Sequence, residues 1–127
     1  MSLSKIDPSI TEDYLRQHLE GLYLERKSIG RDKLKPGKLA DEIIGMLNAD
    51  GGVVVLGLSD DGSIEGLKSI PYSELLSYEK VCQNFINPAA DVKLEKINLQ
   101  NGELVYLYHV GQNYENMYER KDNHNVF

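Results

Sequence analysis

The stretch that decides the fold is Asn48-Ala49-Asp50-Gly51-Gly52-Val53-Val54-Val55-Leu56-Gly57-Leu58. Its first half predicts a sharp turn, because glycine adopts left-handed backbone conformations without steric cost. Its second half, residues 53–58, is β-branched and apolar on both faces, which is typical of a strand at the centre of a sheet. The sequence therefore predicts a sheet whose central strand begins at a paired-glycine turn.

Helical and strand patterns extend outward from this stretch. Helical spacing of apolar residues predicts three helices, which begin at Asp7-Pro8, at Pro36 and near residue 71, the last ending at residue 86. Besides the central strand, we expect strands at residues 22–27, 92–99 and 103–110, hairpin turns at residues 60–62 and 101–102, and a polar loop at residues 28–35. The predicted fold class is α+β (mixed α/β), a single compact domain with a mixed sheet flanked by about three helices.

Length and composition are those of one ordinary globular domain. The chain has 127 residues, of which 41% are apolar and 27% charged. No apolar run approaches the roughly 18 residues that span a membrane, and residues 1–5 lack the apolar core of a signal peptide. Cys82 is the single cysteine, so no internal disulfide can form, and no Cys/His spacing suggests zinc. These features predict a cytoplasmic protein without a membrane partner.

The chain is expected to comprise a leader or disordered segment at residues 1–6, the domain at residues 7–111 and a polar tail at residues 112–127. The tail is rich in asparagine but ends on the apolar pair Val126-Phe127. We interpret it as the truncated start of a final strand, and expect a longer protein with further domains fused at the C-terminus.

Charge gives two opposing signals. The net charge of −6 does not favour phosphate binding by the molecule as a whole. Residues 26–38 nevertheless contain a local basic cluster, made of Arg26, Lys27, Arg31, Lys33, Lys35 and Lys38. Such a cluster is either a solvated loop or a local nucleic-acid patch. Phosphate-loop and dinucleotide-binding motifs are excluded, because Gly30 and Gly37-Lys38 are too far apart and the paired glycines precede a strand.

A set of carboxylates supplies the possible chemistry. Glu20 follows the first predicted helix, Glu25 lies on the next strand, and Asp60 and Asp61 follow the central strand. If the two strands are neighbours, these acids could converge on Mg²⁺ or Mn²⁺, while Lys27 neutralises charge on a phosphate. Alternatively, they are polar residues of a strand edge and a turn.

The ordered combination resembles the Schlafen AlbA-like domain family. It consists of Glu20-x4-Glu25-x-Lys27, Asn48-x-x-Gly51-Gly52, an apolar strand and Gly57-Leu58-x-Asp60-Asp61-Gly62, and the resemblance covers roughly residues 8–110. It implies a mixed α/β fold that binds DNA or RNA, often as a dimer or tandem pair. Such domains are common at the N-terminus of predicted bacterial and archaeal transcriptional regulators.

The resemblance also assigns roles to individual residues. It implies that Lys27, Asn48 and the amides of Gly51 and Gly52 contact phosphates, and Arg31 and Lys33 of the basic cluster are added to this binding set. In the animal Schlafen branch a three-carboxylate centre cuts structured RNA, and Glu20, Glu25 and Asp60 match those acids. Arg26 and Ala49 depart from the usual pattern, and the aromatic-x-Arg-x-Gly-Ser strand that closes the domain is expected to be absent.

Three functions follow from these observations. We favour a nucleic-acid-binding domain of a transcriptional regulator, which requires no cofactor and no catalysis, because most prokaryotic relatives resemble regulators. The alternative is an endoribonuclease that holds Mg²⁺ or Mn²⁺ with Glu20, Glu25 and Asp60. The third is a protein-interaction or dimerisation module, for which the acidic net charge is the argument.

Overall fold

A computed structural model describes residues 5–6, 24–59, 63–99, 102–111 and 116–121. Its strands are β1 (Lys5–Ile6), β2 (Leu24–Lys27), β3 (Gly52–Leu56), β4 (Ile86–Asn87), β5 (Val92–Leu99), β6 (Leu104–Val110) and β7 (Glu119–Arg120). Its helices are α1 (Ile29–Asp32), α2 (Pro36–Leu47), α3 (Tyr72–Glu79) and α4 (Val81–Phe85). The first predicted helix and the predicted turn at residues 60–62 lie outside the described residues.

The main sheet is mixed, as predicted, with strand order β1-β5-β6-β3-β2. Strand β3 runs parallel to β2 and antiparallel to β6, and β5 and β6 form the predicted antiparallel pair. Strand β3 lies between β6 and β2 and every one of its residues is buried, which confirms that it is an interior strand. A second, two-stranded sheet joins β4 to β7.

The two faces of the main sheet carry different cores. Because successive side chains of a strand point to opposite faces, Val54 and Leu56 join a core with the helices, while Val53 and Val55 join the core of the other face. Helix α3 is anchored to the first face by hydroxyl groups of β6. The Tyr108 hydroxyl donates to the Tyr78 carbonyl, and the Tyr106 hydroxyl donates to the Glu79 carboxylate.

Helix α2 forms where the sequence places it. Pro36 occupies its first turn, and the predicted apolar stripe of Leu39, Ile43, Met46 and Leu47 is buried. The helix ends because Gly51 adopts a φ of +83° and donates its N–H to the Met46 carbonyl at 2.9 Å. Only glycine accepts that conformation without strain, so the paired-glycine turn aims the chain into β3.

The structure corrects two predicted elements. Residues 28–35 are not a simple polar loop, because they contain α1 and the buried Ile29. The Glu65 carboxylate accepts hydrogen bonds from the Ile29 and Gly30 N–H groups, and this long-range contact caps α1. The predicted helix over residues 71–86 is divided at Lys80 into α3 and α4. It ends at Phe85, because Ile86 belongs to strand β4.

Part of the segment assigned to a polar tail packs on the domain. Tyr118 is 4% exposed, and the next two residues form β7 against β4. None of the helices in the described ranges is long and apolar enough to cross a membrane.

Candidate functional site

The centre of the candidate site is Lys27, which lies between two carboxylates. Its Nζ is 3.3 Å from Glu25 Oε2 and 3.5 Å from Glu42 Oε2. The alternation of β2 places Glu25 and Lys27 on the same face of the sheet, which is the face that α2 covers, and α2 brings Glu42 towards them. Glu42 is a site residue that the motif analysis missed, because only the packing of α2 on the sheet brings it near β2.

The carboxylates keep Lys27 charged. Partial burial by itself would lower the pKa of the ammonium group, but Glu42 and Glu25 outweigh that effect and the pKa of Lys27 is raised. Lys27 is therefore protonated across the neutral range. Its side chain is 22% exposed, so an anion arriving at this site can reach the ammonium.

Lys27 lies in a cleft of about 620 Å³, here called the lysine cleft. The cleft is lined by Glu25, Lys27, Lys33, Leu34, Lys35, Lys38, Asp41 and Glu42. Lys33, Lys35 and Lys38 are exposed, and none of them forms an ion pair with a residue in the described ranges. The cleft thus combines one ammonium that is already paired with three that remain open to a ligand.

The loop that carries these lysines is held in place by backbone contacts. Lys33 adopts a φ of +51°, a left-handed conformation that is uncommon for a residue other than glycine. The Leu34 N–H donates to the Ile29 carbonyl at 3.2 Å, and the Tyr78 hydroxyl donates to the Leu34 carbonyl at 2.7 Å. The loop is therefore fixed between α1 and α3. Arg31, which was also predicted to bind phosphate, lies within α1.

The predicted glycine-turn residues do not line the lysine cleft. Gly51 lines a neighbouring groove of about 490 Å³ that also includes Asp41, Glu42 and Asp50. Gly52 is buried and pairs with Val110. The structure therefore brings together Glu25, Lys27 and Lys33, whereas Gly51 and Gly52 shape the turn beside them.

Asn48 holds a distant part of the backbone. Its Nδ2 donates to the Tyr118 carbonyl at 3.1 Å, and its Oδ1 accepts from the Tyr118 N–H at 2.9 Å. Both ends of the side-chain amide are thus used within the protein. Residues 116–121, here called the strap, are docked by this pair of hydrogen bonds at the C-terminal end of α2.

Arg120 docks the strap at the other end of the same helix. Its Nη1 donates to the Gly37 carbonyl and to Asp41 Oδ1, each at 2.8 Å, and its guanidinium lies 5.4 Å from the centre of the Phe85 ring. A Cβ at Gly37 would lie 2.8 Å from Arg120 Nη2, so glycine permits this approach. Because Asp41 lines the lysine cleft, the strap contributes a positive charge at its border.

The complete aromatic-x-Arg-x-Gly-Ser motif is absent from the sequence, but the strap contains its first half. Tyr118 and Arg120 have the aromatic-x-Arg spacing, and Arg120 lies in β7. Residues Asp122-Asn123 occupy the positions at which the motif has Gly-Ser. Because that second half is missing, the first half was not recognised in the sequence. The aromatic-x-Arg spacing in residues 118–120 was the signal that could have identified it.

Replacing Arg120 by glutamine is expected to lower the free energy of unfolding by about 1–2 kcal/mol, because a charged hydrogen bond and an ion pair are lost. The loss stays modest since the Asp41 side chain is 45% exposed and its ion pair is screened by solvent. Urea denaturation would measure it, with Lys68→Gln, at an exposed lysine outside the strap, as the control. Equal stability of the Arg120 variant and the parent would contradict a docking role.

The predicted metal centre is described only in part. Glu20 and Asp60 lie outside the described residues, and the Glu25 carboxylate contacts the Lys27 ammonium. Across the described ranges, no group of three or more His, Cys, Asp or Glu side chains is arranged to hold a metal ion. The described carboxylates therefore do not by themselves form a metal site.

Comparison with solved structures shows the fold. The N-terminal domain of an ATP-dependent DNA helicase RecG-related protein from Nitrosomonas europaea is 19% identical, with a TM-score of 0.58, and the match covers 91% of this chain and 80% of that chain. The DIP2311 protein from Corynebacterium diphtheriae is 23% identical, with a TM-score of 0.51, and the match covers 82% of this chain but 24% of that chain. No curated protein gave a significant match.

A family model described as Schlafen, AlbA_2 matches residues 20–127. This range contains Glu25, Lys27, the paired-glycine turn and the strap. Since the match spans most of the sequence, the chain belongs to the Schlafen AlbA_2 family.

Proposed function

We propose that this chain is a nucleic-acid-binding domain that takes backbone phosphates in the lysine cleft. The observation that carries the proposal is the position of Lys33, Lys35 and Lys38 around Lys27, exposed and without ion pairs in the described part of the chain. Lysine ammonium groups bind phosphates as point charges, and such contacts supply most of the affinity for nucleic acid that does not depend on sequence.

The acidic residues of the cleft restrict where a phosphate can bind. Glu25 and Glu42 lie within 3.5 Å of Lys27, so a phosphate at Lys27 meets two like charges. The three lysines farther out have no such neighbour in ion-pair contact within the described ranges. We therefore infer that Lys33, Lys35 and Lys38 contact the phosphates directly. The positive charge of Lys27 adds electrostatic attraction without a direct contact.

Family membership supports this nucleic-acid role. The further role as part of a DNA- or RNA-binding transcriptional regulator rests on the resemblance between this sequence and such proteins. The name of the Nitrosomonas europaea neighbour, which refers to a DNA helicase, is compatible with it. Dimer formation and fusion to further domains stay predictions.

A salt titration tests the proposal. Fluorescence anisotropy with labelled DNA and RNA hairpins of mixed sequence should show binding that weakens as salt rises. Lys38→Gln should lower the magnitude of the slope of log K against log salt by about one, because one phosphate contact is lost. Lys68→Gln, which changes an exposed lysine outside the cleft, is the matched control. Absence of binding, or equal slopes for both variants, would contradict the proposal.

The same assay separates the two alternatives. Cleavage of the RNA hairpin on addition of Mn²⁺, abolished by Glu25→Gln, would instead establish the endoribonuclease. If no nucleic acid binds and light scattering shows a concentration-dependent dimer, the interaction module would replace both.

A further inference from the structure

We propose, building on the nucleic-acid function above, that the ligand is an unpaired nucleotide. Its phosphate would lie in the lysine cleft, and its base would enter a second cleft that also borders the loop at residues 33–35. The two clefts share Lys33, Leu34 and Lys35 as their common wall. One strand of nucleic acid could therefore contact both clefts by crossing this loop.

The second cleft has the size and lining of a site for a planar organic group. Its volume is about 460 Å³, within the range of about 300–1,000 Å³ that is usual for small-molecule sites. Ile29, Leu34, Pro36 and Tyr78 line it, but Ile29 and Tyr78 are 7% and 3% exposed, so a base would rest mainly against Leu34 and Pro36. In the lysine cleft, Leu34 is accompanied by charged side chains that suit a phosphate.

The shared loop is preorganised for such a ligand. The Tyr78 hydroxyl holds the Leu34 carbonyl at 2.7 Å, and the Ile29 carbonyl holds the Leu34 N–H. Lys33 keeps its left-handed conformation between these contacts. The separation between the two clefts is therefore set before a ligand arrives, which reduces the ordering cost of binding.

A duplex does not satisfy this geometry. In a double helix the bases are stacked inside and only their edges reach the grooves, so a base cannot leave for a concave apolar cleft while its phosphate stays on the lysines. Unpaired nucleotides can do so, and proteins that bind single strands combine a basic groove with surfaces that cover the base. We therefore expect single strands or loops to bind better than duplex.

The polar rim of the second cleft can accept a hydrogen bond from a base. Glu74 and Ser77 lie on α3 at this rim, and the Ser77 hydroxyl already donates to the Glu74 carbonyl. The Glu74 carboxylate accepts hydrogen bonds. Every unpaired base carries a donor, either an exocyclic amino group or a ring N–H. The rim therefore favours a base over an abasic site without selecting among the bases.

The experiment compares 12-nucleotide homopolymers with an abasic strand of equal charge. In anisotropy titrations of the parent protein, oligo-dC should bind about tenfold tighter than the abasic strand, because the base adds apolar contact. Ser77→Leu should obstruct the second cleft and reduce oligo-dC affinity towards the abasic level, without changing abasic affinity or the salt slope. Ser73→Leu, on an exposed position of the same helix outside the cleft, should behave as the parent.

The outcomes distinguish this proposal from the one on which it rests. Equal affinity of the parent for oligo-dC and the abasic strand would overturn the base site and leave phosphate binding intact, a comparison that needs no variant. Tighter binding to a blunt-ended duplex without a loop than to oligo-dC would likewise overturn it. Failure to bind any of these strands would overturn both proposals.

Discussion

Simultaneous replacement of Lys33, Lys35 and Lys38 by glutamate is expected to lower nucleic-acid affinity by about a hundredfold or more. Three phosphate contacts are lost at roughly 1 kcal/mol each, and 1.4 kcal/mol corresponds to a factor of ten. The new carboxylates also add repulsion in a cleft that already contains Glu25 and Glu42. Anisotropy titration at fixed low salt would measure the loss.

The matched control reverses the charge of three lysines outside the cleft. Lys68, Lys80 and Lys93 are exposed and do not line the lysine cleft, so their replacement by glutamate changes the net charge by the same amount. Circular dichroism should show that both triple variants are folded, because substitutions at exposed positions rarely cost more than about 0.5 kcal/mol each. If the control loses as much affinity as the cleft variant, overall charge rather than the cleft governs binding.

Replacing Asn48 by alanine is expected to lower the free energy of unfolding by about 1–2 kcal/mol. Two hydrogen bonds to the Tyr118 backbone are lost, each with a net value of about 1 kcal/mol. Asn48 is exposed although Tyr118 is buried, so water replaces part of the lost interaction. Chemical denaturation would measure the change.

Two comparisons separate this docking role from the predicted phosphate contact. Asn84→Ala removes an exposed asparagine on α4 and should leave stability within about 0.5 kcal/mol of the parent. Nucleic-acid affinity of the Asn48 variant should then be measured under conditions in which it is fully folded. A variant of normal stability but reduced affinity would show that Asn48 acts on the ligand and not on the strap.

Elements with strong local signals were predicted well. Helix α2 begins at the predicted proline and buries the predicted stripe, and β5 has the predicted bounds. The apolar residues 53–56 form the core of β3, as expected from their β-branched, two-faced pattern. These elements could be predicted because proline, paired glycines and apolar periodicity act on the backbone within a few residues of themselves.

Elements that depend on distant partners were not predicted. Helix α1 is capped by the Glu65 carboxylate, and β4 forms because Ile86 and Asn87 pair with β7. No local sequence pattern within residues 28–35 or 81–87 predicts either contact. Tertiary interactions therefore override local propensity in these segments.

The candidate site divides in the same way. Alternation along one strand was enough to place Glu25 and Lys27 on one side, and composition was enough to find the lysines that follow. Only the packed structure shows that Glu42 reaches Lys27 from α2, that Asn48 holds Tyr118, and that Arg120 pairs with Asp41. The sequence by itself determined the family, the central strand and the basic cluster, because these depend on neighbouring residues. The tertiary structure decided which charges meet, because each of those contacts joins residues at least fifteen positions apart.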